Sequence, residues 1–337
     1  MDVTEFPEIE KLVTLDEVRA AAGVLRGVAR RTPLLMAGDT SLSGAGGMRL
    51  KCENLQRGGA FKLRGAYNFI SRLPDSERAR GVVTYSSGNH GKAVALAAKL
   101  LGVQAVVVIP VDAPRIKADG IERLGAEVVK EGTTSVERRR RAEKIARTRG
   151  APIVPPFDHP LIVAGQGTVG LEIGEEWPDV ERVVVPVGGG GLLAGIAASL
   201  SVLAPGARVY GVEPRGAAAM QRSLKAGEPV SLDSVDTVAD GLKPVRPGDL
   251  TFAHAREQVA DVVLVDDEDI LRGVAWLAEE FRMVVEPSGG ATVGALLAGA
   301  LPDPDAPTVV VISGGNVDPG NWTEWVSEYG MREAGKA

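Results

Sequence analysis

Short apolar runs alternate with longer alanine-rich stretches along most of the chain. Runs dominated by Val and Ile are typical of parallel strands that are covered on both faces. They predict strands at residues 81–86, 105–110, 127–130, 182–187, 209–213, 261–265 and 308–313. The stretches between them predict helices at 91–101, 136–148, 192–203, 267–281 and 291–300. This order of strand, helix and strand predicts an α/β fold with mainly parallel sheets and helices on both faces.

A cluster of prolines at residues 151–156 marks a break in this pattern. The chain has 337 residues, which is enough for two domains. We therefore expect a smaller α/β domain of residues 78–155, inserted into a larger domain formed by residues 1–77 and 156–337.

Composition excludes several classes of partner. Lys and Arg number 38 against 44 Asp and Glu, and the net charge of −6 argues against nucleic acid or an anionic membrane as a partner. Cys52 is the single cysteine, so no internal disulfide can form. No apolar run approaches the ~20 residues that span a bilayer, and the acidic N-terminus lacks a signal pattern. We expect a cytoplasmic protein with a small-molecule substrate.

The segment 54–66 places Lys62 between glycines and next to Phe61. A lysine in such a turn is a poor core residue. A partly desolvated amine loses its proton readily, and it can then form a Schiff base with a carbonyl group. Lys62 is thus a candidate catalytic amine, although most lysines are solvated surface charges.

Two small-residue turns each follow a predicted strand and open a predicted helix. Backbone N–H groups at a helix N-terminus bind carboxylates or phosphates. The first turn, 86–91, reads Ser-Ser-Gly-Asn-His-Gly, and it is equally well interpreted as a helix cap. The second, 187–192, contains four consecutive glycines, which let the backbone wrap closely around an anion, most naturally a phosphate.

The glycine loop also fits a competing interpretation. Gly189, Gly191 and Ala194 match the G-x-G-x-x-A pattern, and Glu213 follows at about the spacing of a ribose-binding acid. A nicotinamide-dependent oxidoreductase is therefore the distant alternative. It leaves Lys62 and the turn at 86–91 unexplained.

Ser313 ends a predicted buried strand in Val-Ile-Ser-Gly-Gly-Asn, residues 311–316. Open α/β sheets bind ligands at the carboxyl ends of their strands, so Ser313 is a candidate to hydrogen-bond a ring nitrogen. Taken alone, Ser-Gly-Gly is more often just a turn.

Together, the segments around Lys62, Ser86–Gly91, Gly188–Gly191 and Ser313 resemble the fold type II pyridoxal-phosphate enzymes. The resemblance is nearest to the serine/threonine dehydratases and serine racemases, and it covers roughly residues 14–328. Further segments that carry it are 164–168, 239–241 and 285–290.

The resemblance implies a role for each site residue. Lys62 carries pyridoxal phosphate, with Phe61 close to the ring and Asn89 bonded to the 3-oxygen of the ring. Four glycines hold the phosphate: Gly188, Gly189, Gly190 and Gly191. Gly241 lines the ring and Ser313 faces the ring nitrogen. The substrate carboxylate is held by Ser86, Ser87, Asn89 and His90.

The same resemblance implies dehydration and deamination of L-threonine or L-serine to a 2-keto acid and ammonia, with Lys62 as the base at Cα. Serine opposite the ring nitrogen suits prompt loss of a β-leaving group. Two alternatives stay open on this scaffold. Ser87 as a second acid/base permits serine racemisation. Arg138, if it turns inward, permits 3-hydroxyaspartate as the substrate, although the favoured interpretation is that it is one of four solvated arginines on a helix face.

Relatives in the resembled family bind a divalent metal near the position of Glu213, with a second carboxylate a few residues later. Ala219 stands at that second position here. A hard cation prefers several oxygen ligands that carry compensating charge, so Glu213 alone makes a tight metal site doubtful. The resemblance also implies a homodimer or homotetramer.

Overall fold

The structure is a computed structural model that describes residues 11–38, 40, 42–86, 88–113 and 115–330. Within these residues the chain forms two separate β-sheets. The strands in chain order are β1 (Leu34–Met36), β2 (Met48–Cys52), β3 (Val82–Thr84), β4 (Ala105–Ile109), β5 (Glu127–Lys130), β6 (Arg182–Pro186), β7 (Arg208–Pro214), β8 (Asp261–Val265) and β9 (Thr308–Ile312).

The larger sheet has six strands in the order β1-β2-β9-β6-β7-β8. All neighbours in it are parallel except β1, which runs antiparallel to β2. Every residue of β6 and β9 is buried, as expected of central strands covered on both faces. Because β2, β9, β6, β7 and β8 run parallel, their carboxyl ends lie along one edge of the sheet.

The smaller sheet has three parallel strands in the order β3-β4-β5. It lies wholly within residues 78–155, the segment that the sequence predicts as an inserted domain. The exact domain boundaries stay a prediction.

Helices connect and cover the strands. Among the described residues they are α1 (Leu15–Leu25), α2 (Lys62–Ser71), α3 (Asp75–Arg78), α4 (Asn89–Leu101), α5 (Arg115–Glu122), α6 (Ser135–Arg149), α7 (Pro160–Glu176), α8 (Gly191–Leu203), α9 (Ala219–Ala226), α10 (Asp249–Gln258), α11 (Asp267–Phe281), α12 (Pro287–Leu297) and α13 (Pro319–Tyr329). The predicted α/β class with mainly parallel sheets is confirmed.

Helices α7 and α8 pack unusually closely because glycines meet at their interface. A Cβ atom on Gly195 would overlap the backbone of Gly167. Ser199 adds a hydrogen bond from its Oγ to the Gly167 carbonyl, at 2.8 Å. This close packing fixes the start of α8, where the glycine loop lies.

A buried group of four charged side chains fastens α2 to the rest of the larger domain. Arg64 donates to Glu53 and Glu172, and Lys51 donates to Glu172 at 2.6 Å. Two cations offset two carboxylates, so the group is neutral as a whole. Because breaking a buried ion pair leaves an uncompensated charge, this cluster holds the first turn of α2 firmly.

No helix of the described residues is both long and apolar enough to cross a membrane.

Candidate active site

Lys62 is the first residue of α2, directly after the turn that ends at Phe61. The sequence predicts Lys62 within a turn, whereas in the structure the turn ends at Phe61 and Lys62 begins the helix. Its Nζ donates to the Pro156 carbonyl at 2.8 Å and lies 5.1 Å from the centre of the Phe61 ring. Burial lowers the pKa of Lys62 to about 8, because desolvation disfavours the charged amine. The amine is therefore partly neutral near physiological pH.

The segment 154–157 joins Lys62 to two other parts of the site. The buried His90 ring is hydrogen-bonded through Nε2 to the Val154 carbonyl at 3.0 Å. Burial, and then the charge on Lys62, lower the pKa of His90 to about 3, so its ring is neutral. The Phe157 ring packs against Gly189, where any Cβ atom would overlap it. Lys62, the start of α4 and the glycine loop therefore lie around one short segment.

The glycine loop connects β6 to the N-terminus of α8. Gly190 has a φ of 92°, a left-handed conformation that L side chains rarely adopt. The Gly189 carbonyl accepts from Thr251 Oγ1 at 2.7 Å, which fixes the loop. The first N–H groups of α8 have no partner within their helix and carry its positive dipole end, as an anion site requires.

Gly241 and Ser313 lie beside this loop. A Cβ atom on Gly188 would come within 2.7 Å of the Gly241 carbonyl. The Gly241 N–H donates to Ser288 Oγ at 2.9 Å, and Ser313 Oγ donates to the Ser288 carbonyl at 3.3 Å. The three segments thus form a continuous wall, with the buried hydroxyl of Ser313 at the carboxyl end of β9.

Asn89 is the first residue of α4, at the carboxyl end of β3. Its Nδ2 donates to Glu286 at 2.5 Å, and its Oδ1 accepts from Asn316 at 2.8 Å. The turn before it is tight: a Cβ atom on Gly91 would overlap the Ser86 carbonyl, and Ser86 Oγ accepts from the Gly88 N–H at 3.3 Å. The first N–H groups of α4 are consequently available for a carboxylate.

Among the predicted substrate-binding residues, Arg138 is not placed in this group, and the His90 ring faces Val154. Ser87 lies outside the described residues. Arg138 Nη1 donates to the Thr133 carbonyl at 3.0 Å at the start of α6, with Asp112 as its nearby acid, so its observed contact is local. The His90 ring is held by Val154, which leaves its backbone N–H rather than its ring for a substrate.

The carboxylate of Glu213 contacts the backbone at the start of α9. Its carboxylate accepts from the N–H groups of Met220 and Gln221 at 2.8 and 2.9 Å, at the start of α9. Burial raises the pKa of Glu213 to about 7 despite these bonds. Across the described part of the chain, no group of three or more His, Cys, Asp or Glu side chains is placed to hold a metal.

Sequence reasoning missed Glu286, Asn316 and Lys92 as parts of the site. Glu286 and Asn316 both lie in segments that carry the family resemblance, but they contact Asn89 from 197 and 227 residues away. Burial raises the pKa of Glu286 to about 7. Lys92, on the first turn of α4, donates to Asn316 at 2.6 Å.

A family model, curated relatives and a solved structure all match this chain and point to one family. The family model for pyridoxal-phosphate dependent enzymes matches residues 25–314. The L-threonine ammonia-lyase of Thermotoga maritima is 40% identical over 96% of this chain and 80% of the relative. The serine racemase of Schizosaccharomyces pombe is 37% identical over 94% of this chain and 98% of the relative. The structure of maize serine racemase superposes with a TM-score of 0.88 at 36% identity, covering 95% and 98% of the two chains.

The fold and the site thus define a fold type II enzyme. This chain belongs to the family of pyridoxal-phosphate dependent enzymes. Membership confirms the predicted cofactor and decides against the nicotinamide alternative.

The residues present fit pyridoxal phosphate. The cofactor requires an amine of lowered pKa, an anion site and room between them. Lys62 supplies the amine, and the N-terminus of α8 supplies the anion site. Side chains at Gly188, Gly189 or Gly190 would overlap Gly241, Phe157 or Thr251, so the loop keeps this backbone conformation, with its N–H groups exposed at the helix start, only with glycine.

Proposed function

We propose that this protein removes water and ammonia from L-threonine or L-serine to give a 2-keto acid. The observation that carries the proposal is the placement of Lys62 between the glycine loop and the start of α4. The half-buried amine of Lys62 has a lowered pKa and bonds to Pro156, and the neighbouring residues Phe157 and Val154 contact the glycine loop and the His90 ring. The name of the Thermotoga relative, an L-threonine ammonia-lyase, supports this substrate class.

In this proposal, pyridoxal phosphate, when bound, withdraws electrons from Cα of the amino acid. Lys62 Nζ removes the proton from Cα, and a pKa of about 8 lets this amine accept and return a proton near neutral pH. The N–H groups at the start of α4 orient the substrate carboxylate. The β-hydroxyl leaves as water by taking the Cα proton from Lys62 Nζ, and the enamine that results hydrolyses to the keto acid and ammonia.

The cofactor would be held by residues from both sheets. The N–H groups of Gly189, Gly190 and Gly191 would take the phosphate, and Ser313 would face the ring nitrogen. Phe61 and Gly241 would line the ring. Asn89 would donate from its amide to an oxygen of the cofactor.

The test is an absorbance spectrum of the purified protein with pyridoxal phosphate, combined with assays for keto acid from L-threonine and L-serine. We expect a yellow band, keto acid formation, and loss of both in Lys62→Ala. Lys99→Ala, an exposed lysine on α4, is the matched control and should behave as wild type. A Lys62→Ala protein that retained full lyase activity would refute the assignment.

Serine racemisation is the second candidate, and the similarity to the racemases of S. pombe and maize supports it. Racemisation needs a second acid/base, for which we propose Ser87. D-serine formed faster than keto acid from L-serine would move the assignment to a racemase. Ser87→Ala should then reduce D-serine formation more than keto acid formation. The 3-hydroxyaspartate alternative requires Arg138 to reach the site.

We also propose that the protein is a cytoplasmic homodimer or homotetramer, with the smaller domain at 78–155. The lack of a membrane-spanning helix among the described residues is compatible with this location. Sedimentation of the purified protein would test the oligomeric state.

A further inference from the structure

Four polar side chains form one unbroken line of hydrogen bonds that ends at the proposed active site. Lys92 Nζ donates to Asn316 Oδ1 at 2.6 Å. Asn316 Nδ2 donates to Asn89 Oδ1 at 2.8 Å. Asn89 Nδ2 donates to Glu286 Oε1 at 2.5 Å. The four residues come from α4, from the segment after β9 and from the residue before α12, so the fold has to bring them together.

We propose that Lys92 and Asn316 are positioning residues that hold the Asn89 amide with its NH2 group directed toward Glu286 and the active site. The proposal rests on the proposed function, because it matters only if Asn89 faces cofactor or substrate. None of the roles assigned above includes Lys92 or Asn316.

The direction of the line follows from what each group can donate. An ammonium group can only donate, so the partner atom on Asn316 must be its oxygen. The Asn316 NH2 group must then face acceptors, and it does: the Gly58 carbonyl lies at 2.8 Å and Asn89 Oδ1 at 2.8 Å. Asn89 is left with its NH2 group, which has two N–H donors. One is used by Glu286, and no other described residue accepts the second, which can therefore meet an anionic oxygen.

Close packing prevents Asn316 from turning away. A Cβ atom on Gly59 would overlap the Asn316 amide, and Gly59 has a φ of 81°. The Glu286 carboxylate at the other end of the line is packed in the same way, because a Cβ atom on Gly314 would overlap it. The backbone of segment 58–61, which leads into Lys62, thus lies directly against this line of side chains.

The two ends of the line carry opposite charges that affect each other. Burial lowers the pKa of Lys92, while the charge of Glu286 raises it and that of Arg123 lowers it. Burial raises the pKa of Glu286 to about 7, against the Asn89 hydrogen bond and the charges of Lys117 and Lys92, with Asp240 raising it further. Loss of the Lys92 charge should therefore raise the pKa of Glu286.

The experiment measures the affinity of apo-protein for pyridoxal phosphate and, in the loaded enzyme, the visible band of the bound cofactor as a function of pH. Lys92→Met removes the donor and Lys92→Gln keeps a donor without the charge. Lys99→Met, on the exposed side of the same helix, is the control. We expect Lys92→Met to weaken cofactor binding by about tenfold, the effect of one charge-assisted hydrogen bond. Lys92→Gln should restore most of the affinity but keep a shifted pH dependence.

Asn316→Ala tests the middle of the line. If the residues act in series, the double variant Lys92→Met/Asn316→Ala should bind the cofactor no more weakly than Asn316→Ala alone. Additive losses would overturn the proposal, as would a Lys92→Met protein with the affinity and spectrum of Lys99→Met. Both readouts are independent of lyase activity. A protein that binds the cofactor normally but forms no keto acid would therefore overturn the proposed function while leaving this proposal testable.

Discussion

Burial of Lys62 changes the pH at which its amine can react. An ordinary lysine has a pKa of 10.5, and burial lowers that of Lys62 to about 8. Only the neutral amine attacks a carbonyl group, so the rate at which apo-protein takes up pyridoxal phosphate should rise with pH with a midpoint near pH 8. The rate of appearance of the visible band after mixing measures this. A midpoint near 10.5 would show that Lys62 is solvated in the free protein.

Glu213 should make the protein less stable as the pH rises. Its pKa is about 7 in the folded protein and 4.5 for the ordinary side chain, so the folded state binds the extra proton between these values. Stability from this group is complete below about pH 4.5 and falls as the pH rises to about 7, by on the order of 1–3 kcal/mol.

Urea unfolding at several pH values would measure this effect. Glu213→Gln should flatten the decline between these pH values, whatever it does to absolute stability by altering the bonds to Met220 and Gln221. Glu228→Gln, an exposed glutamate after α9, is the control and should keep the wild-type slope. An unchanged slope in Glu213→Gln would contradict the assignment.

At the scale of the element, the glycine loop depends on a backbone conformation that residues with a side chain rarely adopt. At Gly190 the φ is 92°, and a Cβ atom would lie 2.7 Å from Met220 Cε and 2.8 Å from Thr251 Cβ. Gly190→Ala should therefore destabilise the fold by about 1–3 kcal/mol. It should also weaken pyridoxal-phosphate binding, because the N–H groups at the start of α8 move.

Gly206→Ala is the matched control, since no atom would lie within 4 Å of a Cβ atom there. Its melting temperature and cofactor affinity should equal those of wild type. Titration of apo-protein with pyridoxal phosphate measures the affinity of both variants. Wild-type affinity in Gly190→Ala would mean that the phosphate is held elsewhere.

At the scale of the whole molecule, most of the fold could be predicted from the sequence. Strands such as β4, β6 and β9 are continuous Val and Ile runs because both faces of each sheet are covered. The sequence did not predict β2, whose pattern is broken by Lys51. That lysine is fully buried because it pairs with Glu172, 121 residues away, and no local pattern reveals such a pair.

The candidate site divides in the same way. Lys62, the turn at 86–91 and the glycine loop are local motifs, so the sequence predicted them and the structure brings their described residues together. The contacts of Asn89 with Glu286 and Asn316 join segments that are far apart in the chain, so the sequence alone could not predict these two residues as its partners. The roles of the individual residues remain predictions until variants are measured.

The placement of the site predicts how the cofactor affects the whole molecule. The glycine loop belongs to the larger sheet, whereas Asn89 and His90 begin a helix that follows β3 of the smaller sheet. Lys62 lies between them, since it contacts Pro156 and lowers the pKa of His90. A cofactor bound to Lys62 and the glycine loop should therefore order both sheets at once.

Hydrogen exchange with and without pyridoxal phosphate measures this coupling. We expect slower exchange in the loaded protein at residues 188–193 and also at 89–92, because local opening of either segment would break cofactor contacts. Helix α13, which has no buried residue, should exchange equally in both forms. Protection confined to 188–193 would mean that the larger sheet binds the cofactor alone. In that case the start of α4 would contribute only to substrate binding, and the sheets would remain uncoupled until the amino acid arrives.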